Sequence, residues 1–325
     1  TFTFADYNAE SSGPVIAAKE AIAWMEEESG GRIQFEAYYG GTLIEAGDTF
    51  AAVSDGMVDC AYYLSGLTTG VQPVGELLSQ HWFREMPDMA GITEIYRTAV
   101  DQIPEFQEEL AQQNIYMVSL ACTPHTLTAV RDSSAESINV PTDLTGKVIQ
   151  ASGSAYIQVL QGIGVSGLSM APSDWYTNFE RGICEMLNIN WPAYGDFGLC
   201  ELAESYITYG NNGGFTCSAE QWYFNLEKWN SLPEDIQAIL KEGFTRLGDR
   251  VVERDMEREA EVMQQEIDAG KLFHNIPESG MQPWYDLALE EAQIWIQNVT
   301  DKGYDGQRIF DDYSQIIEDY MAENG

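Results

Sequence analysis

The first 62 residues alternate between strand and helix patterns, and this order restricts the fold more than any other sequence feature. Runs of alternating polarity predict strands, and apolar residues at helical spacing between them predict helices. Glycines at Gly30-Gly31 and at Gly56 end the two helices. Successive strands joined by helices run parallel, so we expect an α/β sheet covered by helices. The predicted elements are strand 2–4, helix 14–28, strand 33–38, helix 44–54 and strand 58–62.

The same alternation continues beyond this unit, and a second unit begins near Thr126. A Ser-x-x-Glu capping box with an internal proline, at Ser231 to Glu234, predicts the start of a helix that reaches about residue 269. Such a long helix is unusual inside one globular domain and suits a bridge between two lobes. The further predicted elements are helix 92–113, strand 115–120, strand 147–151, helix 155–163, strand 165–168 and helix 173–181.

The charge balance narrows the possible partners. The 325 residues contain 52 acidic and 16 basic side chains, a net charge of −36. This charge repels nucleic acids and anionic lipids, so we expect neither as a partner. No run of about 18 apolar residues predicts a membrane-spanning helix. The chain begins at Thr1 without a leader, which is expected of an exported protein after removal of its signal peptide.

No motif of an enzyme or of a metal site occurs. The sequence lacks GxSxG, P-loop, GxGxxG and HExxH patterns, so we expect no catalytic residue, no cofactor and no metal. The three histidines are scattered, and each is read as an ordinary surface or core residue. An exported protein permits disulfides. One bridge among Cys184, Cys200 and Cys217 is expected, with the pairing left open.

Four segments in order resemble the solute-binding proteins of TRAP transporters, of the DctP type. The first combines Gly-Gly-Thr-Leu with a later Asp-Gly-Met-Val-Asp-Cys-Ala, and the second reads Val-Pro-Thr-Asp-Leu-Thr-Gly-Lys. The third is a helix that begins Pro-Ser-Asp-Trp-Tyr, and the fourth reads Trp-Asn-Ser-Leu-Pro-Glu-Asp. Each segment is weak alone, but their order and spread make the resemblance strong. They occupy residues 40–61, 140–147, 172–182 and 229–235.

The resemblance implies an α/β, two-lobed periplasmic-binding-protein fold, with mixed sheets flanked by helices and a long helix spanning both lobes. Lobe I is expected to comprise residues 1–123 and 212–250. Lobe II is expected to comprise residues 124–211 and 251–325, including bridging C-terminal helices. The implied function is capture of a small organic solute in the periplasm by closure of the lobes. A monomer would then deliver this solute to the membrane permease subunits. A sensory ligand-binding module is the alternative class.

The sequence departs from the family at one informative position. Family members usually carry an arginine at the end of the strand after Gly-Lys, where it pairs with a solute carboxylate. Gln150 stands here instead, and an amide supplies no charge. The missing charged contact is worth about 1.5–3 kcal/mol. We therefore expect a small organic amine, such as the amino alcohol ethanolamine. The alternative is a hydroxy-, keto- or dicarboxylic acid held by another arginine, with Arg84, Arg131 and Arg181 as candidates.

The candidate ligand-binding residues are those that the resemblance places at the cleft. Tyrosine and tryptophan faces attract ammonium groups, carboxylates pair with them, and amides suit a hydroxyl group. Between the two acids near the first strand, Glu10 is preferred to Asp6. The candidates are Asp6, Tyr7, Glu10, Tyr62, Tyr63, Gln150, Trp175, Asn188, Asn190, Trp191 and Asn211.

Overall fold

The computed structural model describes residues 1–65, 68 and 70–324, and its strands form two sheets. The strands are β1 (Phe2–Ala5), β2 (Phe35–Tyr38), β3 (Cys60–Leu64), β4 (Ile115–Cys122), β5 (Thr126–Val130), β6 (Val148–Gln150), β7 (Ser166–Leu168), β8 (Met186–Asn190), β9 (Ser205–Tyr209), β10 (Ala219–Asn225) and β11 (Leu272–Ile276). The first sheet has the order β2-β1-β3-β10-β4, and the second has the order β11-β9-β5-β8-β6-β7.

Helices cover both sheets, which confirms the predicted two-lobed α/β architecture. The helices are α1 (Gly13–Glu28), α2 (Thr49–Ser54), α3 (Met89–Gln102), α4 (Glu105–Ala111), α5 (Ser154–Gly162), α6 (Pro172–Glu180), α7 (Trp191–Asp196), α8 (Leu226–Asn230), α9 (Glu234–Asp268), α10 (Gln282–Asp301) and α11 (Gly306–Asn324). Helix α10 packs on α5 of the second lobe, whereas α11 packs on α3 of the first. The exact lobe boundaries stay a prediction.

The first sheet is mixed because a strand from late in the chain enters its centre. Strand β1 pairs in parallel with β2 and with β3, as the sequence predicts. Strand β10 then lies between β3 and β4 and runs antiparallel to both. The carboxyl ends of β1, β3 and β4 and the start of β10 therefore meet at one edge of the sheet. This edge positions the candidate site.

The 35-residue helix α9 contacts both lobes. Its first half packs on α1 and β4 of the first lobe, and its second half packs on α7 of the second. Close approach to α7 occurs at Gly195, where an added Cβ would lie 2.8 Å from Val262 Cγ2. The predicted helix spanning both lobes is thus confirmed.

Three local predictions were wrong for identifiable reasons. The predicted helix 92–113 is split into α3 and α4, because a proline at position 104 cannot continue the helical hydrogen-bond ladder. The predicted helix 44–54 begins as a 3₁₀ turn at Ala46–Asp48. The capping box at Ser231 does not form, since that hydroxyl donates to the carbonyl of Lys228 and α9 begins only at Glu234.

The five cysteines are free thiols. The expected bridge among Cys184, Cys200 and Cys217 is therefore wrong. The residues that the structure describes include no cluster of three or more side chains able to hold a metal ion. Among the same residues, no helix combines the length and apolar character that crossing a membrane requires.

Replacing Gly243 by leucine is expected to destabilise the first lobe. Gly243 is buried in α9 against α1, and a Cβ atom there would overlap with Cγ and Sδ of Met25. Overpacking of this kind costs about 1–3 kcal/mol. Ala238→Leu adds the same side chain at an exposed position of the same helix and should leave the free energy of unfolding nearly unchanged. Denaturant unfolding of both variants measures the difference, and equal stabilities would contradict the prediction.

Candidate functional site

A cavity of about 110 Å³ lies between the facing edges of the two sheets. The first lobe contributes residues at the ends of β3 and β4 and before β10, and the second contributes residues after β6, on β8 and on α6. Hydroxyl and amide side chains dominate the polar part of its wall. The principal lining residues are Leu64, Ser65, His81, Thr123, Thr126, Ser152, Tyr156, Trp175, Asn188, Asn190, Thr216 and Ser218.

No arginine or lysine lines this cavity among the described residues. The three arginines considered as carboxylate anchors lie elsewhere. Arg84 is paired with Glu318 at 3.2 Å on the surface. Arg131 is exposed and donates to the carbonyl of Glu180, and Arg181 is also exposed. The cavity therefore offers no cationic side chain of these two types to a solute carboxylate.

Three candidates from the sequence line the cavity: Trp175, Asn188 and Asn190. The indole N–H of Trp175 donates to the carbonyl of Met170 at 3.2 Å. Asn190 caps α7 by accepting from the Ala193 N–H at 3.0 Å, so it has a structural role as well. The buried Oδ1 of Asn188 has no hydrogen-bond partner among the described residues and remains available as an acceptor.

Gln150 ends β6 directly before the cavity-lining residues Ala151 and Ser152. Its side chain is buried, and its Nε2 lies 3.4 Å from Ser152 Oγ. The Oε1 atom has no partner among the described residues. The position thus supplies a second unpaired amide oxygen beside the cavity.

Three buried carboxyl groups lie together behind the first-lobe edge, and we call them the acidic cluster: Asp6, Glu220 and Asp255. Asp6 follows β1, which pairs with β3, while Glu220 pairs with Leu64 of β3. The hydroxyl of Tyr62 donates to Glu220 Oε1 at 3.1 Å. The other oxygen of Glu220 and Oδ2 of Asp6 have no partner among the described residues. Within the described part of the chain, neither of these buried carboxyls forms an ion pair with a cationic side chain.

Burial dominates the electrostatics of the acidic cluster. Loss of hydration raises the pKa of Asp6 from 3.8 to about 7, although the Asn8 backbone N–H partly opposes this. Loss of hydration, followed by the nearby charge of Asp255, raises the pKa of Glu220 well above its usual value. The pKa of Asp255 is likewise raised to about 7. A cation placed among them would lower all three pKa values.

Helix α9 carries the third carboxyl of the acidic cluster to the start of α1. A Cβ atom on Gly13 would lie 2.9 Å from Asp255 Oδ1, so the glycine permits this close approach. The ring of Tyr7 stands edge-on to the ring of Tyr62, with centroids 5.2 Å apart. The carboxyl groups of Asp6 and Glu220 and the rings of Tyr7 and Tyr62 therefore lie near one another in the first lobe.

None of the eight other candidates is among the residues that line the cavity. Glu10 is exposed and pairs with Lys19, and Asn211 is exposed and donates to Glu85. Trp191 lies in the apolar core of the second lobe. Tyr63 stacks on Tyr223 inside the first lobe. Neither Asp6 nor Glu10 lines the cavity, but Asp6 is buried whereas Glu10 is exposed.

Sequence reasoning missed Glu220, Tyr156 and His81. Every residue of β10 is buried, so a glutamate there is conspicuous once the strand is known to be central. His81 was read as an ordinary histidine because its partner, Glu291, is 210 residues away in the chain. No local sequence pattern predicts that His81 and Glu291 form a pair.

Two α/β lobes, a polar cavity between their sheet edges and one helix spanning both define a two-lobed solute-binding protein. The model of the family described as "Bacterial extracellular solute-binding protein, family 7" (DctP) matches residues 4–297. The chain belongs to this family. Its members are extracytoplasmic binding proteins rather than enzymes, which agrees with the function expected from the sequence.

Known relatives are distant in sequence but close in fold. A solute-binding protein of Chromohalobacter salexigens is 23% identical over 298 residues, covering 91% of this chain and 78% of the relative. A marine metagenome TRAP solute-binding protein, solved with metahydroxyphenylacetate, has 18% identity, a TM-score of 0.84 and 98% coverage of both chains. A TRAP periplasmic solute-binding protein of Desulfovibrio salexigens, solved with orotic acid, has 13% identity and a TM-score of 0.84, covering 98% of this chain and 99% of the other.

Proposed function

We propose that this protein is the periplasmic subunit of a TRAP transporter that captures a small organic amine, with ethanolamine as the reference solute. The observations that carry the proposal are a cavity wall without arginine or lysine among the described residues, and two buried carboxyls in the first lobe that each have one oxygen without a partner. A buried unpaired carboxylate is costly, and a bound ammonium group would compensate it. The captured solute would pass to the membrane permease subunits.

The dimensions of the cavity favour a small solute. A cavity of about 110 Å³ is smaller than one of roughly 150 Å³ that holds benzene. An amino alcohol has two polar ends, and the cleft has two kinds of polar group. Asp6 and Glu220 suit the ammonium end, while the unpaired oxygens of Gln150 and Asn188 suit the hydroxyl end. Trp175 supplies an aromatic wall.

Such a solute would contact both lobes, since the acidic cluster and the amide oxygens come from different sheets. Contacts to both lobes exist only when the cleft is closed. The solute therefore shifts the population of the protein towards the closed form. We expect this form to be the one that docks on the permease.

The second candidate is a small organic acid, because related structures contain acids. Besides the aromatic acid and orotate, another structure, from Chromohalobacter salexigens, contains D-glucuronate. It has 18% identity and a TM-score of 0.81, covering 97% of this chain and all of the other. An acid would need a cationic partner, and Gln150 does not supply one. The two candidates differ in the sign of the solute charge.

Thermal unfolding with a matched pair of solutes separates them. Ethanolamine and glycolate are similar in size, share a hydroxyl group and differ in charge, while ethylene glycol is a neutral control. Ethanolamine at about 100 times its Kd should stabilise the fold by about 2.7 kcal/mol. We expect this increase with ethanolamine alone. An increase with glycolate or D-glucuronate, and none with ethanolamine, would refute the amine and support the acid.

A further inference from the structure

His81 lies in the cavity wall at the contact between the two lobes. The residue is only 7% exposed. Its imidazole ring is 3.7 Å from the ring of Tyr156 on α5 and 4.6 Å from the ring of Phe215, measured between centroids. Tyr156 belongs to the second lobe and also lines the cavity. The imidazole is therefore held between aromatic groups and cannot easily turn away.

Glu291 fixes the orientation of this imidazole. Its Oε2 lies 2.9 Å from His81 Nδ1 and also accepts from the backbone N–H of His81 at 3.3 Å. Glu291 is 2% exposed and lies on α10. Because this oxygen already accepts from the backbone N–H, we assign Nδ1 as the donor of the contact with Glu291. In the neutral ring the lone pair is then on Nε2.

The Nε2 atom is buried and has no hydrogen-bond partner among the described residues. Buried polar atoms in proteins are almost always paired, and an unpaired one indicates a missing partner. The position of His81 in the cavity wall makes a solute the natural partner. A fixed acceptor at this place suits an O–H or N–H group.

We propose that His81 is a solute-binding residue whose Nε2 accepts a hydrogen bond from an O–H or N–H of the solute. Glu291 is a positioning residue that holds Nδ1 protonated. The inference deepens the proposed function but does not depend on the acidic cluster. The inference also implies that His81 discriminates against organic acids, because the lone pair on Nε2 repels a solute carboxylate.

Nitrogen NMR of the intact protein tests the tautomer directly. The chain has three histidines, so ¹⁵N-histidine labelling gives a simple spectrum, and His81→Phe identifies the His81 signals. In the ligand-free protein we expect a protonated Nδ1 and an unprotonated Nε2. Saturating ethanolamine should shift the Nε2 signal, with binding verified by the rise in melting temperature. A protonated Nε2, or an Nε2 signal unmoved by bound ethanolamine, overturns the inference.

The same titration separates this inference from the proposed function. If only glycolate raises the melting temperature, the amine proposal is wrong, and glycolate becomes the probe. An unprotonated Nε2 whose signal moves with glycolate then still supports His81 as an acceptor for the hydroxyl group. If His81 is instead protonated on both nitrogens in the glycolate complex, it acts as a donor to the carboxylate. That result would refute the inference that Nε2 is an acceptor.

Two variants test the roles of the pair. His81→Phe keeps an aromatic ring but removes the acceptor, and we expect the affinity for ethanolamine to fall roughly tenfold or more. In Glu291→Gln, the new side-chain amide can either accept from Nδ1–H or donate to an unprotonated Nδ1. The NMR signals should therefore show both tautomers of His81, and the affinity for ethanolamine should fall severalfold. Glu290→Gln changes an exposed neighbour and should alter neither. Unchanged tautomer signals in Glu291→Gln would mean that Glu291 does not position His81.

Discussion

Glu220→Gln is expected to weaken amine binding while making the ligand-free protein more stable. The amide keeps the shape of the carboxyl and can still accept from Tyr62, but it removes the negative charge. Loss of a charge-assisted contact of about 1.5–3 kcal/mol reduces affinity roughly 10- to 150-fold. The same change removes a buried carboxyl whose loss of hydration opposes folding and raises its pKa. Isothermal titration calorimetry with ethanolamine and thermal unfolding measure the two effects.

Glu227→Gln is the matched control for this variant. Glu227 lies seven positions later, is exposed, and sits on α8 away from the cavity. Its replacement should leave both the ethanolamine affinity and the stability of the ligand-free protein equal to those of the wild type, within the error of measurement. Asp6→Asn should act in the same direction as Glu220→Gln. Unchanged ethanolamine affinity in Glu220→Gln, or a lower stability of this variant at pH 8, would contradict the assignment of the acidic cluster.

The ligand-free protein is expected to lose stability as the pH rises from 5 to 8. Asp6 and Asp255 have folded-state pKa values near 7 instead of 3.8. The folded protein therefore binds protons that the unfolded chain has released, and stability falls until the pH passes the folded-state pKa. Each pKa unit corresponds to about 1.4 kcal/mol, so Asp6 alone contributes a loss of about 3 kcal/mol over this range. The mutual repulsion of exposed acids acts in the same direction.

Denaturant unfolding at fixed ionic strength checks this dependence, and the range lies above the sequence pI of about 4.1, which limits precipitation. The Asp6→Asn and Glu220→Gln double variant should show a flatter profile. Saturating ethanolamine should also flatten it, because a bound cation favours the ionised carboxyls. A wild-type stability that is constant or rises from pH 5 to pH 8 would show that these carboxyls are not desolvated.

Much of the fold could be predicted from local patterns. The order of strands and helices up to residue 62 and the long helix α9 were correct because apolar spacing along the chain reports which face of an element is buried. The split at Pro104 was missed because the apolar spacing continues on both sides of it. The central place of β10 was missed because strand order depends on pairing between distant segments.

The candidate site was predicted only in part, for the same reason. Asn188 lies on β8 and Trp175 lies on α6, and both line the cavity, while Gln150 ends β6 directly before the lining residue Ala151, so position in the chain was informative. The sequence contains 52 acidic residues, but composition alone does not identify which of them become buried and lose hydration on folding. Glu10 remained solvated beside Lys19, whereas Glu220 is buried on β10 between β3 and β4.

By itself, the sequence determined the family, the two-lobed α/β class and the replacement of an expected arginine by Gln150. Each of these features depends on short sequence segments whose residues are close together in the chain. Only the tertiary structure decided which carboxyls are buried and that Glu291 holds His81 from 210 residues away. Desolvation and hydrogen-bond orientation depend on what surrounds an atom in space, and for this cleft the surroundings come from both ends of the chain.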